Sequence, residues 1–205
     1  DAEVRQCVTI GDSLSPEEGP IPLSRGPMEA RKLKTIDDLL ACPDEGVEPI
    51  GGEIVRRPWA RSEHGHTQFR ASAELSPFDR PSGPGGWWIM TEVSVAYAAY
   101  QCPVHDLAGW RKERLPTRPT GIIETAPDWV REIVSPGHER KDTLDLFLLL
   151  QRHRVPFYWL IWPEDRALVA HALAAGEWHV VVTLQGQGRA RIPPFEAIEL
   201  DLTDL

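Results

Sequence analysis

Val104-His105-Asp106-Leu107-Ala108-Gly109-Trp110, then Asp128-Trp129-Val130-Arg131-Glu132-Ile133-Val134-Ser135-Pro136, then Arg140-Lys141-Asp142: these three runs decide the fold. The first reads as an apolar strand entered by an acid, the second as an apolar strand with an acid inside it, and the third as a basic helix start. Side chains alternate along a strand, so Val130, Glu132 and Val134 share one face while Trp129, Arg131 and Ile133 share the other. A carboxylate among valines needs a partner, which can be a cation, an arginine or a hydrogen-bond donor. Asp106 and Glu132 on adjacent strands would suit a hard divalent cation; a structural ion pair with Arg111 or Arg131 is the plainer reading.

Working outward, Trp87 to Ala96 is a third strand of this sheet. Arg140 to Arg154 is a helix, apolar nearly all round through Leu144 to Leu150, so it is expected to be buried on two sides or to lie at a contact between copies of the chain, as in a homodimer or higher homo-oligomer. Val155 to Trp162 is an apolar strand, and Ala167 to Leu173 with Trp178 to Leu184 forms a hairpin turning at Ala175-Gly176. Ile192 to Leu205 is a tail whose Ile198 to Leu202 segment suits an edge strand. Upstream, Thr35 is placed to cap a short helix closed by Pro43, and Val47 to Pro58 is a hairpin turning at Gly51-Gly52. Ser62 to Leu75 follows as a helix, ended by a loop from Pro77 to Gly86. Helices thus cover a mixed or antiparallel sheet, an α+β arrangement over residues 28–205, preceded by an extended arm over residues 1–27.

Composition narrows the function classes. A hydrophobic fraction of 41% over 205 residues suffices for a core. No run approaches the roughly 18 apolar residues of a membrane span, and no basic-then-apolar leader opens the chain, so a cytoplasmic, bacterial protein with no membrane partner is expected; the start without Met suggests trimming. Cys7, Cys42 and Cys102 form no CxxC pair and read as reduced thiols. The net charge of −9 argues against broad affinity for nucleic acid while leaving room for a local basic cleft.

Taken together, Gly52-Glu53-Ile54-Val55, Glu63-His64-Gly65, Gly86-Trp87-Trp88 through Glu92-Val93, Asp106 to Trp110, Trp129 to Pro136 and Val155-Pro156-Phe157-Tyr158-Trp159-Leu160 resemble, in content, order and spacing, the Uma-type restriction endonucleases of the PD-(D/E)XK nuclease superfamily, long catalogued as a domain of unknown function. The resemblance runs from about Lys32 to Leu205. It implies a restriction-endonuclease-like core, a mixed sheet of four or five strands flanked by helices, with extra hairpins, and a Mg²⁺-dependent endonuclease acting on DNA. Asp106 and Glu132 would be the motif acids, although His105 stands where proline is usual, and Glu53 and Glu92 are further acidic positions of the pattern. The motif lysine is missing: Val134 stands two residues after Glu132, and the later helix position used by the family is Leu146, so Lys141 is the replacement available.

Mg²⁺ or Mn²⁺ held by Asp106, Glu132, the backbone carbonyl of Ile133 and Glu53 would supply the Lewis acid for phosphodiester hydrolysis. Lys141 could orient the attacking water or stabilise developing charge, with Arg140 and His138 as phosphate contacts. Arg57, near Trp59, and Arg111 belong to the two basic clusters suited to nucleic acid. His64 and His66, two apart, point to different faces of a helix and are not expected to share an ion. A catalytically impaired nuclease fold acting as a nucleic-acid-binding or oligomeric scaffolding module is the competing reading, drawn from Val134 and Leu146.

Overall fold

The computed structural model describes residues 33–41, 46–57, 61–81, 85–137 and 139–205. The N-terminal arm, Cys7, Cys42, Pro43, Trp59 and His138 lie outside the described residues. The elements begin with α1 (Ile36–Leu40), β1 (Val47–Ile50), β2 (Glu53–Arg56), α2 (Ser62–Asp79), β3 (Trp87–Ser94), β4 (Val104–Arg111) and β5 (Trp129–Ile133). A wide π-type turn, Lys141–Leu146, then leads into α3 (Phe147–Arg152), followed by β6 (Phe157–Trp162), β7 (Ala167–Ala174), β8 (Glu177–Gln185), β9 (Arg189–Ala190) and β10 (Leu200–Asp201). Among the described residues no helix is long and apolar enough to cross a membrane.

The main sheet has six strands in the order β3-β4-β5-β6-β7-β8. All neighbours are antiparallel except β5 and β6, which are parallel and joined through the wide turn and α3. The β7–β8 hairpin continues this sheet, which is why it exceeds the four or five strands that the resemblance implies. Its turn falls at Ala175-Gly176, both with positive φ, the geometry that matches strand twist. Gly51-Gly52, likewise at positive φ, joins β1 to β2.

Each face of the sheet has its own core. On one side Trp87, Leu107, Trp129, Trp159 and Ile161 pack with Leu75 and Phe78 of α2 and with Phe195. The Phe195 ring lies 4.7 to 5.7 Å from those of Phe78, Trp87, Trp129 and Trp159. On the other side Ala108, Trp110, Val130, Tyr158 and Leu160 pack against Leu146, Leu149 and Leu150. The helical stretch is therefore buried along one side only, leaving Leu144 and Leu148 40% and 49% exposed.

Two boundaries depart from the sequence reading. α2 runs through Pro77 to Asp79, because Phe78 is buried against Phe195 and the Asp79 carbonyl accepts a hydrogen bond from Lys112 Nζ at 2.8 Å. The tail does not form an edge strand over Ile198 to Leu202. Only Leu200–Asp201 pairs, with β9, and the Asp201 side chain then accepts the Thr203 amide at 2.9 Å and turns the chain into a short 3₁₀ helix.

Gly109 sits where the aromatic layer is tightest. A Cβ there would lie 3.2 Å from ring carbons of both Trp129 and Trp87. Gly109→Ala is expected to destabilise the protein by about 1–3 kcal/mol, the cost of overpacking a filled core. Urea denaturation with an unchanged midpoint would show that the two rings can move apart.

Candidate functional site

β4 and β5 pair conventionally at Gly109–Trp129, Ala108–Val130 and Leu107–Arg131. Beyond Leu107 the side chains take over the ladder. The Ile133 amide donates to Asp106 Oδ2 at 2.7 Å, and the Asp106 amide donates to Glu132 Oε2 at 3.3 Å. Each carboxylate thus satisfies a backbone donor of the opposite strand, which lets the strands part without leaving buried amides unpaired.

Around this exchange the charges sort into pairs. Burial, then the charge of Asp106, hold Glu132 well above the ordinary carboxylate range. Burial and then the Lys141 charge lower His105 to about 3. Both directions disfavour charge on this pair, in which Glu132 Oε1 lies 2.5 Å from His105 Nδ1 and the other ring nitrogen 2.9 Å from the Tyr97 hydroxyl. Asp106 behaves oppositely. Burial pushes its carboxyl up, but the hydrogen bond and charge of His64, the Ile133 amide and Lys141 outweigh it and hold it below its ordinary value. His64 is raised, chiefly by its contact with Asp106, Nε2 to Oδ1 at 3.3 Å.

α2 explains how His64 arrives there. Thr67, Ala71, Leu75 and Phe78 form its buried stripe, and His64 and Gln68, four residues apart, carry that stripe into polar residues at the N-terminal end. Gln68 Nε2 donates to Glu92 Oε1 at 2.9 Å and to the Asp106 carbonyl at 3.1 Å. Glu92 lies at φ 50 and, with Asp106 opposite it, is left out of the β3–β4 pairing between Thr91–Leu107 and Val93–His105, so the ladder opens at these two acids with its register unchanged. One ligand atom each from His64, Glu92 and Asp106 lie within 4.8 Å of one another.

Lys141, at the start of the wide turn, reaches inward, its Nζ 2.6 Å from Glu48 Oε1. Burial works against its ammonium, yet the charges of Glu48, Glu132 and Asp142 outweigh it and raise its pKa. Glu48 is fully buried on β1, and its other oxygen accepts the Val104 amide at 2.7 Å where β4 begins. Asp142 is also buried and raised well above the carboxylate range by burial and then by Glu132.

Of the residues singled out in the sequence, Asp106 and Glu132 come together with Glu92 beside them, and Lys141 stands close enough to influence both acids. Arg57 forms an ion pair with Glu92. Glu53 is exposed on β2 and is not one of the clustered acids; the buried acid of that hairpin is Glu48. Val47, Glu48 and Pro49 are all buried in succession, so strand alternation does not single out Glu48 as the inward acid; the docking of the hairpin does. Arg111 lies over the Trp87 ring, 4.6 Å from its centroid, rather than on either acid. Arg140 is exposed and faces Asp145 at 3.7 Å. Arg131 is buried with Nε and Nη2 unpartnered, and burial lowers it to about 9. His64, Gln68, Glu48 and the His105–Tyr97 pair are the site residues that sequence reasoning missed. The i, i+4 spacing of His64 and Gln68 ahead of Ala71 and Leu75 was the available signal, and His66, the neighbour with which His64 was compared, is exposed.

The buried Glu48–Lys141 pair makes a direct prediction. Glu48→Ala strands an ammonium inside the protein and is expected to cost about 3–5 kcal/mol. Adding Lys141→Met should return part of that loss in chemical unfolding, whereas simply additive losses would show that the two residues do not depend on each other.

Comparison with known proteins bears on this arrangement. A family model described as "Uma2: Putative restriction endonuclease" matches residues 36–203. A crystal structure of a putative nuclease belonging to DUF820 from Anabaena variabilis ATCC 29413 shares the fold, with a TM-score of 0.69 and 21% identity over 83% of this chain and 96% of that one. No curated protein matches the chain.

Proposed function

Because the chain belongs to the Uma2 family of restriction endonucleases, we propose that it is a divalent-cation-dependent nuclease that hydrolyses phosphodiester bonds in DNA. The observation that carries this reading is the clustering of Asp106 with Glu92 and His64, beside a second buried carboxyl, Glu132, that accepts the Asp106 amide. The two carboxyls are pushed in opposite directions: Asp106, despite its burial, below its ordinary value by His64 and the Ile133 amide, Glu132 above the carboxylate range by burial and the charge of Asp106. Such divergent environments are typical of sites that handle charge and protons.

The donors fit a divalent ion, Mg²⁺ or Mn²⁺. Asp106 and Glu92 would hold it, and Glu132 and the Ile133 carbonyl are the further oxygen donors that the family resemblance implies. When bound, the ion supplies Lewis acidity and a more acidic water. The protein residues do the rest. Asp106 keeps its geometry through the Ile133 amide, so its remaining oxygen is presented outward. His105, with the Tyr97 hydroxyl on its other ring nitrogen, fixes the Glu132 carboxyl in place behind Asp106. Lys141, held by Glu48, contributes a fixed positive charge that favours a phosphoryl group's developing negative charge, which Val134, 3% exposed, cannot do from the usual motif position. Arg57 beside Glu92 is suited to a phosphate oxygen. A homodimer or higher assembly would use the helical face bearing exposed Leu144 and Leu148.

Supercoiled plasmid incubated with the protein should be cleaved with Mg²⁺ or Mn²⁺ and spared in EDTA. Asp106→Asn should slow cleavage by about two orders of magnitude or more, the scale on which a principal electrostatic contributor is lost. Cleavage that survives this substitution would remove the proposed centre. Ion binding and DNA binding without cleavage would favour a nuclease fold retained as a binding module.

A further inference from the structure

We propose that His64 is a direct ligand, and that with Glu92 and Asp106 it forms a mixed nitrogen–oxygen site selecting a first-row transition ion, Mn²⁺ in kind, over Mg²⁺. This deepens the nuclease reading and rests on it.

Distance is the first argument. Atoms about 2.1 Å from one ion stand at most about 4.2 Å apart. The ligand atoms of His64, Glu92 and Asp106 already lie within 4.8 Å, so side-chain adjustments of under about an ångström close the set. They come from α2, β3 and β4, three elements fixed by the sheet and its helix.

Orientation is the second. His64 Nδ1 faces Ser135 Oγ at 3.3 Å, which leaves Nε2 as the nitrogen presented to Asp106. Ligating imidazoles are commonly set in this way, by a partner on the ring nitrogen that does not bind the ion. Gln68, one turn further along α2, fixes Glu92 and the Asp106 backbone together. The positive φ of Glu92 is a local backbone cost, and it falls where the β3–β4 ladder opens opposite Asp106.

Donor type then decides the ion. Mg²⁺ prefers oxygen ligands and retains its waters, while an imidazole nitrogen joined to two carboxylates suits first-row transition ions. Glu132, 1% exposed and hydrogen-bonded to His105 and the Asp106 amide, lies deeper than this set.

The test is calorimetric titration of the whole chain with Mn²⁺ and with Mg²⁺, together with pulsed electron paramagnetic resonance of the Mn²⁺ form. Mn²⁺ should bind about tenfold or more tightly than Mg²⁺, and its spin-echo signal should carry the modulation of a bound imidazole nitrogen. His64→Asn should remove the modulation and bring Mn²⁺ affinity down to that of Mg²⁺. His66→Asn, on the exposed neighbour, should change neither, and circular dichroism of both variants should match the parent. Equal affinities that ignore His64, or bound Mn²⁺ without nitrogen modulation, would overturn the proposal while leaving a cation-dependent nuclease intact. Selective Mn²⁺ binding without DNA cleavage would support the site and overturn only the nuclease reading; no binding of either ion would remove both.

Discussion

The structure depends on an exchange of hydrogen bonds where β4 and β5 separate. Asp106 takes the Ile133 amide and Glu132 takes the Asp106 amide, so two strands of one sheet diverge without exposing or orphaning their backbone. A sheet that simply continued would have buried both carboxyls against apolar neighbours at a cost of several kcal/mol each. One that simply ended would have left amides unpaired. Here each side chain replaces a ladder bond, and the gap between strands becomes a place for charge.

Four pairs of ionisable side chains surround that gap. Glu48 meets Lys141, His64 meets Asp106, Arg57 meets Glu92, and Glu132 meets His105. Buried pairs of this kind add little net stability, because desolvation offsets attraction, but removing one member leaves a costly charge behind. Their value is geometric: a charge with a single low-energy partner stays in place. The wide turn at Lys141–Leu146 belongs to the same scheme, since turns of this type recur near functional sites and this one begins at the lysine.

Legibility followed the range of the forces involved. Strands β3 to β6 were readable because their apolar residues pack locally above and below the sheet, and the Gly51-Gly52 and Ala175-Gly176 turns because positive φ restricts composition. Thr35 was readable as a cap, its side chain accepting the Asp38 amide while Asp38 takes the Thr35 amide. Pro77 misled, since burial of Phe78 outweighs the hydrogen bond that a proline removes. Glu53 and Glu48, five residues apart on one hairpin, show the limit: which acid turns inward depends on how the hairpin docks. That docking runs through bonds such as Cys102 amide to Pro49 carbonyl at 2.9 Å.

The sequence by itself determined a sheet with flanking helices and the adjacency of Asp106 and Glu132, because alternation and apolar runs are local and strands near in sequence pair readily, while the mixed pairing followed only from the family resemblance. Only the tertiary structure decided that Asp106 is held below its ordinary value while Glu132 is pushed above the carboxylate range, that Lys141 turns in to Glu48, and that His64 and Glu92 gather at Asp106. Those outcomes depend on burial and on distances between residues up to 93 positions apart, as for Glu48 and Lys141, and a pKa or a ligand set exists only once such groups are brought together.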